Sequence, residues 1–245
     1  MDKVLLVTGA SSDMAIAMIR EIYSDYQTIW AHYRSSNKLL ENLHKEIGDR
    51  IIPIQCDFGS VESIQSMIQV IDDSGLIPNQ VVHFAAPKTF NCQFHKCKWE
   101  DYQKGIDTSL RSITILLEHY IPNMRKAHYG RIVFLLTSYL IGVPPKFQSP
   151  YITVKYALHG LMRNLAAEYA DKGITVNGVS PDMVETKFLD DIPNLIIKQN
   201  AEKSPLKRNL IPKDVIPAIK YLLSDEAEAV TGTNMGITGG RLSEN

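Results

Sequence analysis

Short continuous apolar runs alternate along the chain with longer stretches in which apolar residues recur every three or four positions. Runs such as Val4-Leu5-Leu6-Val7 and Ile132-Val133-Phe134-Leu135-Leu136 fit strands buried on both faces. The pattern predicts strands at Val4–Thr8, Thr28–Tyr33, Ile51–Gln55, Val81–Ala85, Arg131–Thr137, Ile174–Val179 and near Met235–Ile237. Between them it predicts helices over about Asp13–Tyr23, Asn37–Ile47, Val61–Ile71, Trp99–Lys126, Tyr151–Ala170, Leu195–Lys203 and Lys213–Leu223, with Pro122 bending the fourth. Strands alternating with helices imply right-handed crossovers and a parallel sheet covered on both faces. The expected fold is therefore α/β, doubly wound in three layers, with a seven-stranded parallel sheet. No linker, repeat or low-complexity stretch divides the chain, so one domain is expected over 1–245.

Composition narrows the class. The 245 residues are 44% hydrophobic and 22% charged, an ordinary globular profile and too apolar for a disordered chain. The 26 basic and 27 acidic side chains leave a net charge of −1, without the basic excess of a nucleic-acid binder. No apolar run approaches the roughly 20 residues of a membrane span. The run after Lys3 ends at Thr8-Gly9, too soon for an export signal. Three cysteines, Cys56, Cys92 and Cys97, read as reduced thiols and point to a cytoplasmic protein. Cys92, His95 and Cys97 lie close together but lack metal-ligand spacing, so no metal is expected.

Chemistry concentrates at the strand ends. The first strand runs through Thr8-Gly9-Ala10-Ser11-Ser12-Asp13-Met14-Ala15 into a helix. A small-residue turn at a helix N-terminus presents backbone N–H groups to an anion. Farther on, Thr137-Ser138 ends a strand, and Tyr151 and Lys155 follow thirteen and seventeen residues after Ser138. Residues four apart share a helix face, so Tyr151 and Lys155 can reach one site. A nearby ammonium stabilises a phenolate, and a hydroxyl can orient a substrate oxygen.

Taken together, these motifs resemble the short-chain dehydrogenase/reductase family, with its Thr-Gly-x-x-x-Gly-x-Gly turn and ordered Ser-Tyr-Lys set. The resemblance extends through Asn177-Gly178-Val179-Ser180-Pro181, through Pro181-Asp182-Met183-Val184-Glu185-Thr186, and to Thr231-Gly232 and Gly239-Gly240. It implies a Rossmann fold and hydride exchange between a nicotinamide cofactor and a carbonyl or alcohol. Ser138, Tyr151 and Lys155 would be the catalytic set. Ser109 stands where the family has an Asn whose backbone carbonyl holds a relay water. Gly9, Ser11, Ser12, Asp13 and Met14 would line the pyrophosphate. Asp57 and Phe58 would meet the adenine, with helix capping the other role open to Asp57. Ala85 and Ala86 would pass beside the cofactor, and Pro181, Val184 and Thr186 would meet the nicotinamide. Arg34 and Ser35 end the second strand and can pair with a 2′-phosphate, favouring NADP(H) over NAD(H).

Several positions depart from the family pattern. Asp13 and Ala15 replace two glycines, and Asp13 would cap the helix or turn to solvent. His83-Phe84 replaces two asparagines, and Ser109 replaces another. These departures keep a non-catalytic NADP-binding or scaffold protein open. Loops near 140–150 and 182–205 should border the substrate, the second as a mobile lid. The chain is similar to 3-oxoacyl-(acyl-carrier-protein) reductases, so an acyl-carrier-protein-bound substrate is expected, with Arg125, Lys126 and Lys172 as docking residues. A sugar, steroid or other small carbonyl compound is the alternative. The family also implies a homotetramer or homodimer.

Overall fold

The computed structural model describes residues 2–36, 38–190 and 192–241. Seven strands form one sheet: β1 (Val4–Thr8), β2 (Thr28–Tyr33), β3 (Ile51–Gln55), β4 (Gln80–His83), β5 (Gly130–Leu135), β6 (Ile174–Pro181) and β7 (Asn234–Ile237). Every pairing is parallel, in the order β3-β2-β1-β4-β5-β6-β7. The order reverses direction between β1 and β4, which opens a crevice at their carboxyl ends.

Helices cover both faces. On one side lie α1 (Asp13–Ile22), α2 (Lys38–Ile47) and α8 (Pro212–Leu223), packed with Leu5, Val7, Ile29, Val133 and Val179. On the other lie α3 (Val61–Asp73), α5 (Ser112–Ala127) and α6 (Ser149–Tyr169), packed with Leu6, Trp30, Ile132, Phe134 and Val176. Alternate residues of β5 thus go to opposite layers, as a pleated strand buried on both faces requires. The remaining helices are α4 (Trp99–Gly105) and α7 (Asn194–Lys203). Asn37, where the sequence places the start of the second helix, lies outside the described residues.

The long fourth helix differs from its sequence reading. It is interrupted between α4 and α5 by a π-helical stretch, Ile106–Arg111. Pro122 lies inside α5, which runs on to Ala127. Pro122 is exposed, so the carbonyl freed by its missing N–H faces water. The π turn carries Ser109 into the interior, where it is 1% exposed. Such single-turn insertions often mark functional sites.

Candidate active site

The β1–α1 turn is built around Gly9. Its φ is +68°, and a Cβ there would stand 2.9 Å from the Ala85 backbone nitrogen. Only glycine lets the turn pass this close to the end of β4. The Gly9 N–H donates to His32 Nδ1 at 3.0 Å, while His32 Nε2 bonds the Cys56 carbonyl oxygen at 3.0 Å. Nδ1 is therefore the acceptor and Nε2 carries the proton. Burial holds His32 down to about 4, so it stays neutral. Phe58 is buried and stacks on His32 with ring centroids 3.8 Å apart. Its ring is core, leaving only its backbone for a ligand.

Asp13 does neither of the things the sequence suggested. Ser12 caps α1, accepting from the Ala15 N–H at 3.3 Å. Asp13 instead reaches across the crevice, and its Oδ2 accepts from the Lys187 backbone N–H at 2.7 Å. The Lys187 ammonium lies 4.0 Å from the other oxygen. The carboxylate is thus held away from the turn and partly offset, which removes the electrostatic objection to an anion beside Ser11, Ser12 and Met14. Asp57 is not a helix cap either. Ser60 caps α3, and Asp57 Oδ1 accepts from the Gly59 N–H at 3.0 Å.

Arg34, Ser35 and Ser36 follow β2 and are exposed. No ion pair ties the Arg34 guanidinium to another described residue, so its charge is available to a phosphate. Ala85 and Ala86 follow β4 beside the Gly9 turn. Pro181 ends β6, Val184 bridges to Leu210, and Thr186 precedes a short turn at Lys187–Leu189. The anion turn, an unpaired arginine and an alanine-lined passage line the same crevice edge, and these residues fit a dinucleotide.

Lys155 and Tyr151 come from one face of α6. Lys155 is 5% exposed, and its Nζ donates to the Leu135 carbonyl oxygen at 2.6 Å. The ammonium lies 5.6 Å from the Tyr151 ring centroid. Burial without a carboxylate partner lowers Lys155 to about 8. Desolvation pushes the Tyr151 phenol well above the ordinary tyrosine range, opposed by the neighbouring Thr137 side chain. In the free protein the phenol is a proton donor.

The two hydroxyls at the end of β5 diverge. Thr137 is near enough to Tyr151 to act on its phenol, whereas Ser138 Oγ–H donates to Asp182 Oδ1 at 3.4 Å. The sequence named Ser138 alone; the structure brings Thr137 to Tyr151. Ser109 joins this group. It lines a cavity of about 30 Å³ with Ala86, Tyr151 and Lys155, a volume suited to one water molecule. His83 approaches from below. The Ala85 N–H donates to Thr8 Oγ1 at 3.4 Å, which bonds His83 Nδ1 at 2.7 Å. Burial holds His83 down to about 3, and its Nε2 lies toward the Ser109 backbone without a full hydrogen bond. A larger groove of about 330 Å³, between Gly59 and the α4 side chains Trp99 and Gln103, lies away from Tyr151.

Arg125 and Lys126 end α5, and Lys172 precedes β6. They mark the amino edge of the sheet, opposite the Tyr151 edge, and Lys172 pairs with Asp171 at 2.6 Å. Within one subunit the fold does not bring them to the site. Among the described residues no three acidic, His or Cys side chains form a metal cluster, and no helix is long and apolar enough to cross a membrane.

A doubly wound parallel sheet with a half-buried tyrosine beside a buried lysine at its carboxyl edge defines a class, the dinucleotide-binding oxidoreductases. The family described as enoyl-(acyl carrier protein) reductase matches residues 9–241. The chain therefore belongs to the short-chain dehydrogenase/reductase family. It is 28% identical over 241 residues to a 3-oxoacyl-(acyl-carrier-protein) reductase of Rickettsia typhi, covering 98% of this chain and 97% of that one. Among solved structures, it superposes on 4-hydroxyisoleucine dehydrogenase complexed with NADH with a TM-score of 0.89 at 23% identity, covering 98% of each chain. It also superposes on a 3-oxoacyl-(acyl-carrier protein) reductase from Brucella melitensis with a TM-score of 0.87 at 23% identity, covering 97% of this chain and 90% of that one.

Proposed function

We propose that the protein is an NADP(H)-dependent oxidoreductase that interconverts a carbonyl and an alcohol, with Tyr151 as acid and base. The observation that carries this reading is the half-buried Tyr151 beside the buried Lys155, next to the Thr137 and Ser138 hydroxyls. When bound, the nicotinamide supplies or accepts the hydride. Gly9, Ser11, Ser12 and Met14 hold the pyrophosphate, Arg34 and Ser35 the 2′-phosphate, and Ala85, Ala86, Pro181, Val184 and Thr186 the nicotinamide half.

The protein's own groups handle the proton. Reduction consumes one hydride and one proton, and Tyr151 Oη–H is placed to deliver the proton to the carbonyl oxygen. The strand-end hydroxyls orient that oxygen. The Lys155 ammonium stabilises the phenolate that remains. The Ser109-lined cavity, large enough for one water, gives a route for reprotonation.

Reduction of 2,3-butanedione, followed by loss of NADPH absorbance, tests the reading. Tyr151→Phe is expected to lower kcat by about 10²- to 10⁴-fold, with NADPH fluorescence enhancement on binding retained. Undiminished turnover in that variant would sink the mechanism. Binding of NADPH without turnover by the unaltered protein would favour the scaffold reading.

A second reading takes its support from the full-length likeness to the Rickettsia reductase: an acyl-carrier-protein thioester as substrate. In this reading Arg125, Lys126 and Lys172 face the acidic carrier. Their position at the amino edge means that they would serve the active site of a neighbouring subunit.

A further inference from the structure

The wall of the site beyond Ser138 is charged. Asp182 stands where the family pattern has glycine, and its side chain is only 6% exposed. Its Oδ1 accepts from the Ser138 hydroxyl and from Arg241 Nη2. Arg241 follows Gly239 and Gly240, whose φ values of +61° and +84° turn the chain back over the site. Its Nη1 donates to Asn200 Oδ1 of α7 at 3.2 Å. Tyr139 is half-buried, and desolvation raises its pKa; Asp182 raises it further and Arg241 lowers it, so it lies near both charges. Tyr139 in turn acts electrostatically on Tyr151. Ser138, at the end of the strand that approaches Tyr151, therefore connects the site directly to the ion pair.

We infer that the Asp182–Arg241 pair is a substrate-recognition group, and that it selects a small, uncharged, polyhydroxylated carbonyl compound or the matching polyol. The inference rests on the oxidoreductase reading above and names the substrate class for it. The argument is one of complementarity. Asp182 Oδ2 has no hydrogen bond to another described residue and remains an acceptor. The Arg241 guanidinium has five N–H groups and spends two of them, on Nη1 and Nη2, on described residues, leaving further Nη N–H groups as donors. An acceptor and several donors thus stand side by side. A hydroxyl group, which both donates and accepts, matches that arrangement.

Other substrate types match it less well. A carboxylate or phosphate would meet Asp182 at short range, with like-charge repulsion offsetting its attraction to Arg241. An ammonium would meet Arg241 in the same way. An alkyl chain laid against the pair would cut both charges off from water without replacing its hydrogen bonds. The pair is internally neutral and polar, and so is the ligand that suits it.

The test compares four probes with the full-length protein and NADPH: erythrulose, 2,3-butanedione, 2-oxobutanoate and acetoacetyl-N-acetylcysteamine. Erythrulose should be reduced with a higher kcat/KM than the 2-oxo acid or the thioester. The double variant Asp182→Gly/Arg241→Met removes both charges together and so strands neither. In it, the ratio of kcat/KM for erythrulose to that for butanedione should fall about 10- to 100-fold, the range for hydrogen bonds to charged groups. Arg241→Met alone should lower the same ratio. Saturation-transfer NMR on cofactor-free protein should detect erythrulose contacts that the double variant loses.

Preference for the thioester or the 2-oxo acid would overturn the inference while leaving the oxidoreductase reading intact. An unchanged ratio in the double variant would do the same. Failure of the unaltered protein to reduce butanedione would overturn that reading, and this inference with it.

Discussion

Thr137 and Ser138 are neighbours with the same functional group, yet they do different work. Spacing to Tyr151 points to Ser138, because it counts residues and not directions. In the structure Ser138 donates to the Asp182 carboxylate, and Thr137 also lies near the phenol, so either hydroxyl is a candidate to orient the substrate oxygen. Thr137→Val, which keeps the shape and removes the hydroxyl, should cost kcat at least tenfold more than Ser138→Ala does, since one hydrogen bond to a developing charge is worth about 1.5–3 kcal/mol. Steady-state kinetics with butanedione decides it, and equal effects would return Ser138 to the primary role. Arg34 is likewise a single-residue question. Arg34→Ala should weaken NADPH binding about 10- to 100-fold while leaving NADH nearly unaffected, because only NADPH brings the 2′-phosphate. Titration of both cofactors by fluorescence checks this, and equal losses for the two would reassign Arg34.

At the level of elements, most of the architecture is legible in the pattern. Continuous apolar runs located all seven strands to within a few residues, whereas the helix caps are Ser12 and Ser60, not the Asp13 and Asp57 that the sequence suggested. The misses share a physical origin. Helical periodicity averages over several turns, so the π insertion at Ile106–Arg111 leaves no trace in it, and Pro122 drew attention to the wrong place. Asp13 reads locally as a cap, but its partner Lys187 lies 174 residues away. Asp182 and Arg241 are separated by 59 residues, and only the return of the chain after β7 brings them together.

The Asp13–Lys187 contact also joins two elements that flank the crevice, the start of α1 and the segment after Thr186. Together with the bond from Arg241 to Asn200 and that from Asn200 to Asn209 at 2.9 Å, it ties down the segment that the sequence suggested as a lid. Asp13→Ala should speed amide hydrogen exchange at Lys187 about tenfold in the cofactor-free protein, as expected for loss of a hydrogen bond to a charged acceptor. Exchange unchanged at Lys187 would mean that the segment is held by other contacts.

For the whole molecule, the site has a stability cost. Lys155 is buried without a counter-charge and falls from 10.5 to about 8. Below pH 8 folded and unfolded chains are both protonated, and the burial penalty is present in full. Between about pH 8 and 10.5 the unfolded chain binds the proton that the folded chain has released, so stability rises with pH through that window. The shift corresponds to roughly 3 kcal/mol, less about 1 kcal/mol for the bond to the Leu135 carbonyl. Lys155→Met should therefore unfold at higher urea at pH 7, by about 2 kcal/mol, while losing turnover, and the gain should fade above pH 10. A variant less stable at neutral pH would contradict this account.

The turn at Gly239-Gly240 sets an order of events during synthesis. The first six strands and the tyrosine–lysine helix leave the ribosome before residue 182 has its partner, and Arg241 arrives last among the described groups around the crevice. Until then Asp182 is an unpaired acid beside Ser138. A nascent chain can thus hold its sheet and still lack its finished binding wall, and a fusion partner attached directly after Arg241 would crowd the place where that wall closes.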